Sequence, residues 1–383
     1  MIFLCLYLLF LSIESHEILL KMPKVRPTKE DQYICHALDL KNDTLFITGF
    51  NPKASASHAH HILIHSCTEP GSVKPYWNCE EMNAKDSKPI CKSGLKILFS
   101  WAMAASGFRL PKDVSVMIGK AVGKQYLVIQ SHYKNVDYFR KPNSEPDESG
   151  IEITVQRKPT SKLAGIYLLA TDGSIPGHST VFMEAACSYT GKTVLHPFAY
   201  RVHTHSLGKL VSGYVIHRKN WTEIGKKSPQ VEQMFYPVKG TVKIYPGDTL
   251  AARCIMENKG DKLVKIGNTR KDEMCNFYIY YWVDREDSSQ IYDDQNQICF
   301  SAGWPKFKWD SFFDSLKIPS AAAMLPGANN IINEIVNDME KQERNMDKLI
   351  SNMWDDNPKE NSDDILDDTL FDHKKFENFD ELF

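Results

Sequence analysis

The chain has 383 residues, 25% of them charged and 42% hydrophobic, and a formal net charge of -2. That length accommodates two domains with substantial cores. The near-neutral balance excludes bulk attraction to nucleic acid or to an anionic membrane.

The N-terminal run MIFLCLYLLFLSIES is apolar, too short to span a bilayer, and followed by polar residues. It reads as a secretory signal over residues 1–15, although it lacks the usual positive start. No later segment has the length and apolarity of a transmembrane helix. The expected product is therefore soluble and exported, placed in the secretory pathway (a granule lumen) or outside the cell.

Of nine cysteines, Cys5 lies in the signal; Cys35, Cys67, Cys79, Cys91, Cys187, Cys254, Cys275 and Cys299 remain. An even number in an exported chain implies four disulfides, and the absence of C-x-x-C argues against a zinc knuckle. The eight fall into groups at 35–91 and 187–299, which suggests two separately stapled domains. Asn42 in NDT and Asn220 in NWT are glycosylation sequons.

Between residues 17 and 300, short β-rich runs alternate with turns: TLFITGF, KQYLVIQSHY, GIEITVQR, AGIYLLA, VSGYVIHR, GTVKIYPGDTL and FYIYYWV. This spacing predicts all-β sandwiches. In KQYLVIQSHY, Tyr126, Val128, Gln130 and His132 share one face and Leu127, Ile129 and Ser131 the other. Residues 140–150 read as a loop and 157–162 as the hinge, giving domains at 16–160 and 161–303. Beyond 304, Ile332, Met339, Met346 and Met353 recur at heptad spacing with Ile335 and Leu349. They predict an amphipathic helix over 328–354, either partner-binding or packed on its own domain. The Asp- and Asn-rich stretch 355–383 is expected to be disordered.

Histidines cluster at His58, His60, His61 and His65, at His132, and at His203 and His205 with His196 upstream, all on candidate strands. On a regular strand Arg201, His203 and His205 project to one side; His60 and His61 face opposite ways unless they sit at a bulge or a strand end. H-x-H alone is equally a polar surface strand or a metal pair. Imidazole suits zinc, copper, iron and nickel, and the absence of H-E-x-x-H lowers the metalloprotease reading. Met274 would be a soft ligand selecting Cu(I), but by itself reads first as core; Arg201 by itself reads first as a surface ion pair.

Five stretches, AHHILIHSC, YLVIQSHY, FAYRVHTHSLGK, GDTLAARC and DEMCNFYIYY, come in an order and spacing that resemble the copper type II, ascorbate-dependent monooxygenases, over about residues 17–303. The resemblance implies two antiparallel, jelly-roll-like β-sandwich domains facing each other across a cleft. It implies two copper ions per chain, ascorbate as reductant and O2 as co-substrate. His60, His61 and His132 match the electron-storing copper; His203, His205 and Met274 match the copper where chemistry occurs. Arg201, Asn276 and Tyr278 match the site for the C-terminal carboxylate of a glycine-extended peptide, whose glycine Cα is hydroxylated. The implied disulfides are Cys35–Cys79, Cys67–Cys91, Cys187–Cys299 and Cys254–Cys275; a further bridge of mammalian-type members has no counterpart. Gln130 shares the face of His132 and is a candidate to orient ligands or solvent. His196 is a candidate to act behind the ligands, whereas His58 and His65 match no ligand of the family.

Insertion of one oxygen atom into an unactivated C–H bond needs a redox metal, which zinc is not. Thioether ligation favours Cu(I), and a second copper stores one of the two electrons that ascorbate delivers singly. The alternatives are a catecholamine-type member, which would carry a further N-terminal domain and no arginine at the Arg201 position, and a non-catalytic copper-binding protein. Residues 304–383 hold a helix and a tail, so cleavage of the hydroxyglycine product is assigned to a separate lyase.

Overall fold

The computed structural model describes residues 15–301 except 56–57, 80–86, 103–104, 233, 268–271 and 293–296. The signal up to residue 14, the helix at 328–354 and the tail at 355–383 lie outside the described residues.

The fold is all-β, built on a ten-stranded sheet with smaller sheets packed on it. The long sheet runs Ser15–Lys21, Gly150–Gln156, Thr44–Lys53, Val114–Gly119, Lys162–Thr171, Asn276–Asp284, His196–His203 and Tyr236–Pro237. Phe108–Arg109 and Ile298–Ser301 attach beside this path. The N-terminal end of the sheet faces a five-stranded sheet of Trp77–Asn78, Gln32–Asp39, Tyr126–Tyr133, His61–Cys67 and Lys96–Ala102. The C-terminal end faces a four-stranded sheet of Ser179–Ser188, Thr249–Asn258, Gly208–His217 and Asn220–Lys227.

The halves meet in the long sheet through a short parallel seam, Val114 opposite Lys162 and Ser115 opposite Leu163. The connector at 157–162 is tied to this seam, because Thr160 and Ser115 share a hydrogen bond of 2.6 Å between their hydroxyls. Apart from this seam and the parallel pairing of Ile298–Ser301 with Lys162–Thr171, the named strand pairs are antiparallel.

One core gathers Ile47, Ile62, Ile64, Leu127, Ile129 and Ile153; the other gathers Leu163, Val202, Val211, Ala252, Phe277 and Ile279. The Asn276–Asp284 strand serves both. Phe277, Ile279 and Tyr281 point into the C-terminal core, whereas Tyr278 and Tyr280 pack with the N-terminal one, as the period of two requires. Arg201 lies opposite Tyr278, and His203 opposite Asn276. Directly opposed residues share a face, so these four side chains turn away from the C-terminal core and toward the N-terminal half.

The four disulfides pair Cys35 with Cys79, Cys67 with Cys91, Cys187 with Cys299 and Cys254 with Cys275. One expected strand is absent. In GTVKIYPGDTL, Val242 and Ile244 reach the C-terminal core, yet the backbone makes only a single bridge, Leu195 with Ile244. Side-chain alternation there has no neighbouring ladder to satisfy. The Pro246-Gly247-Asp248 turn does form, with Gly247 at φ 87°, and the strand starts at Thr249. The loop at 140–150 carries only a bridge from Asp147 to Val25 between helical Arg140 and strand residue Gly150.

Candidate metal centres

The His61–Cys67 strand pairs with Tyr126–Tyr133 so that His61 lies opposite His132. His60 precedes the strand and donates its backbone N–H to the His132 carbonyl at 2.8 Å. The adjacent pair thus sits at a strand end, where the up-down alternation no longer holds, and both rings turn to one point. The His60 and His61 Nδ1 atoms are 3.4 Å apart and those of His61 and His132 are 3.3 Å apart. Among the described residues, these three form a ligand-type cluster whose donor atoms all lie within 4.8 Å of one another.

Tautomers and orientation follow from the surroundings. His132 Nε2 is 3.2 Å from Asp31 Oδ1. A carboxylate holds the proton at Nε2 and leaves the Nδ1 lone pair aimed into the cluster. Tyr33 stacks flat on the His132 ring, centroids 4.2 Å apart and planes at 7°. Burial lowers the basicity of His60, aided by the Lys134 charge, and far more that of His61, where the His132 and His60 rings add to it. Imidazole nitrogens that resist protonation are what copper ligation requires.

The second group assembles where two strands end. His203 is the last residue of His196–His203, and His205 lies beyond it rather than on the strand. Met274 likewise precedes the Asn276–Asp284 strand. Glu273 ties these ends together: its carboxylate accepts from the backbone N–H of His205, of Leu207 at 2.6 Å and of Met274 at 2.9 Å. His205 Nδ1 donates to the Asp272 carbonyl at 2.9 Å. A carbonyl only accepts, so Nδ1 carries the proton and Nε2 keeps its lone pair. The His203 and His205 rings stand edge to face, centroids 5.5 Å apart. Asn276, opposite His203, donates to the Met274 sulfur at 3.8 Å. Two imidazoles and a thioether are therefore joined through one short network.

Arg201 is 5% exposed, and its guanidinium lies over the Tyr278 ring, 5.1 Å from the centroid. Asn276 Nδ2 donates to the Tyr278 hydroxyl at 3.4 Å. Arg201, Asn276, Tyr278 and Met274 thus converge, with a cation buried among them rather than at the surface. The positive charge of Arg201 and the His203 ring both help depress His61.

The remaining candidates are placed differently. Gln130 is buried, with Nε2 3.8 Å from Cys79 sulfur. His196 stacks on Trp282 at 3.8 Å between centroids. His58 precedes the His61–Cys67 strand, packs on Tyr138 and lies 3.7 Å from Asp147. Asn42 is exposed at a turn, and Asn220 is exposed at the start of the Asn220–Lys227 strand. Sequence reasoning missed Asp31, Tyr33 and Glu273. No motif announces them, because each acts through a fold-dependent contact.

The chain belongs to the copper type II ascorbate-dependent monooxygenase family, whose N-terminal domain description matches residues 18–140 and whose C-terminal domain description matches residues 162–312, together well over half of the chain. Such monooxygenases use copper, ascorbate and O2. Among relatives, the chain is 38% identical over 291 residues to peptidyl-glycine alpha-amidating monooxygenase A of Xenopus laevis, covering 75% of this chain and 30% of that protein. It is 39% identical over 269 residues to peptidyl-glycine alpha-amidating monooxygenase of Mus musculus, covering 69% and 26%. It is 25% identical over 279 residues to human dopamine beta-hydroxylase, covering 67% and 44%. The chain therefore spans less than half the length of each of these relatives.

A pH dependence follows from His65, which is 2% exposed. Burial, aided by the Arg201 charge, pushes its imidazole down from 6.5 to about 3. As pH falls below about 6.5 the unfolded chain takes up this proton and the folded chain does not. Stability is thus full above that value and is lost toward pH 3, by about 2 kcal/mol at pH 5 from this group alone. Urea unfolding of the copper-free protein should show a lower midpoint at pH 5 than at pH 7, with a shallower dependence in His65→Phe. Equal pH dependence in the two proteins would contradict the assignment.

Proposed function

We propose that this chain hydroxylates the α-carbon of the C-terminal glycine of glycine-extended peptides, the first step of peptide C-terminal amidation. The observation that carries the reading is the buried Arg201, grouped with Tyr278 and Asn276 and joined through Asn276 to Met274. A guanidinium receives a carboxylate through two parallel hydrogen bonds. Here it would hold the peptide terminus, with Asn276 and Tyr278 offering further polar atoms. The glycine Cα then lies toward His203, His205 and Met274.

His203, His205 and Met274 are the residues that would hold the copper at which O2 is activated, and His60, His61 and His132 would hold the second. Asp31 and Tyr33 fix the ring of His132, and Glu273 fixes the ends that carry His205 and Met274. Preorganisation of this kind keeps ligands in place when the metal changes oxidation state. The four disulfides suit an exported protein, and among the described residues no helix is long and apolar enough to cross a membrane. The hydroxyglycine product is proposed to pass to a separate lyase, and the exposed Asn42 and Asn220 to carry glycans.

Ascorbate-dependent oxygen uptake tests the reading, with an acyl-glycine peptide compared against a phenethylamine. Uptake with the peptide alone is the expected result. Turnover of the amine alone would replace the reading with the catecholamine type. Copper binding without turnover of either would leave a copper-binding protein.

A further inference from the structure

Asp147, in the loop at 140–150, is wholly buried, and both of its carboxylate oxygens are engaged. Oδ2 accepts from the Tyr133 hydroxyl at 2.6 Å. Oδ1 accepts from the Ser149 hydroxyl at 2.6 Å and from the Ser149 backbone N–H at 3.1 Å. The Asp147 backbone exchanges hydrogen bonds of 2.8 and 3.1 Å with Val25, which fixes the residue from behind. His58 Nδ1 lies 3.7 Å from Oδ1. Taking a carboxylate out of water is costly unless hydrogen bonds replace the lost hydration. No step of the proposed reaction uses this carboxylate, so its placement calls for another role.

The network grips the two segments that deliver His132 and His60. Tyr133 follows His132 on the Tyr126–Tyr133 strand, and alternation sends the Tyr133 ring into the N-terminal core while His132 turns to the cluster. The peptide group joining these two residues carries the carbonyl that accepts the His60 N–H at 2.8 Å. Anchoring the Tyr133 hydroxyl therefore steadies the peptide to which the His60 backbone is tied. On the other segment, His58 sits two residues before His60 and packs on Tyr138, centroids 4.3 Å apart. Phe139 stands edge to face with Tyr133 at 5.8 Å and lies 5.7 Å from the His58 ring, so both segments share one aromatic platform. His60 needs this support more than its partners do, because the strand starts at His61 and His132 lies inside its own.

We propose that Asp147 is a positioning residue for the three-histidine centre. Through Tyr133 it holds the peptide that takes the His60 hydrogen bond, and beside His58 it holds the turn that leads into His60. The His60 ring is thereby kept where it meets those of His61 and His132. This inference rests on the reading of that centre as a copper site and not on the choice of substrate.

The test titrates the copper-free full chain with Cu(I) against a chromophoric chelator, in the unsubstituted protein, in Tyr133→Phe and in Ser149→Ala. Tyr133→Phe keeps the ring and removes its bond to Asp147; Ser149→Ala removes a different bond to the same carboxylate. Losing a partner that orients a metal ligand weakens metal binding by about 10- to 100-fold. Tyr133→Phe should show that loss at one of two coppers, and the copper it retains should keep a sulfur neighbour in X-ray absorption. Ser149→Ala should lower the urea midpoint and leave both coppers at unsubstituted affinity. If Tyr133→Phe fails to fold, Asp147→Asn, which keeps the size of the side chain and gives up one acceptor oxygen, supplies the comparison. Two coppers at unsubstituted affinity in the Tyr133 variant, or affinity that falls in step with the urea midpoint across the variants, would overturn the inference and leave the centre standing. A single copper in the unsubstituted protein would defeat the centre, and this inference with it.

Discussion

Met274→Ala is expected to abolish hydroxylation while leaving the three-histidine centre loaded. Met274 is linked to the His203 position through the Asn276 amide, which lies opposite His203 and 3.8 Å from the Met274 sulfur. A soft sulfur donor favours Cu(I), and two imidazoles alone favour Cu(II). Alanine leaves a copper that can bind but is harder to reduce. The Glu273 carboxylate would still accept from His205, Leu207 and the backbone of residue 274, since those bonds use main-chain N–H groups. The fold and the histidines should therefore stay in place, and the loss should exceed the hundredfold that perturbing an outer partner can cost. Ascorbate-dependent turnover at saturating copper and peptide measures it. Activity within a few-fold of the unsubstituted protein would remove Met274 from the site.

Arg201→Gln should act on binding instead. The guanidinium is buried, hydrogen-bonded to Tyr278 and laid over its ring, and a substrate carboxylate would give it an anionic partner as well. Losing one member of a buried, hydrogen-bonded charge pair costs about 2–5 kcal/mol, or roughly 30-fold and upward in affinity. The expected signature is a raised KM for the acyl-glycine peptide with a smaller change in kcat. A peptide whose terminal carboxylate is capped as an amide supplies the control. It should bind the unsubstituted protein poorly, and Arg201→Gln should weaken it little further. Arg201→Lys should recover only part of the loss, because an ammonium is a point charge without the planar fork. An unchanged peptide affinity in Arg201→Gln would dismiss the carboxylate clamp.

Much of this was legible in the order of residues. The alternation in KQYLVIQSHY predicts that Gln130 and His132 share a face, and the pairing of that strand with His61–Cys67 agrees. The adjacency of His60 and His61 calls for a bulge or a strand end, and the strand starts at His61. Other features depend on contacts that no local pattern encodes. His205 reads as a strand residue two places after His203 but lies past the strand end, because Glu273, 68 residues away, captures its N–H. Asp31 lies 101 residues from His132, and an isolated aspartate before a strand carries no mark of the imidazole it will meet. The run around Val242 and Ile244 misleads for the opposite reason: its period of two is real, but it records side-chain burial and not a ladder.

The central claim is that two chemically distinct copper centres stand on the two halves of one chain. X-ray absorption of the ascorbate-reduced, fully loaded protein, combined with metal analysis, tests it most directly. The account predicts two coppers per chain, with sulfur scattering from one of them that disappears in Met274→Ala. One copper per chain, or two with nitrogen and oxygen neighbours alone, would contradict it.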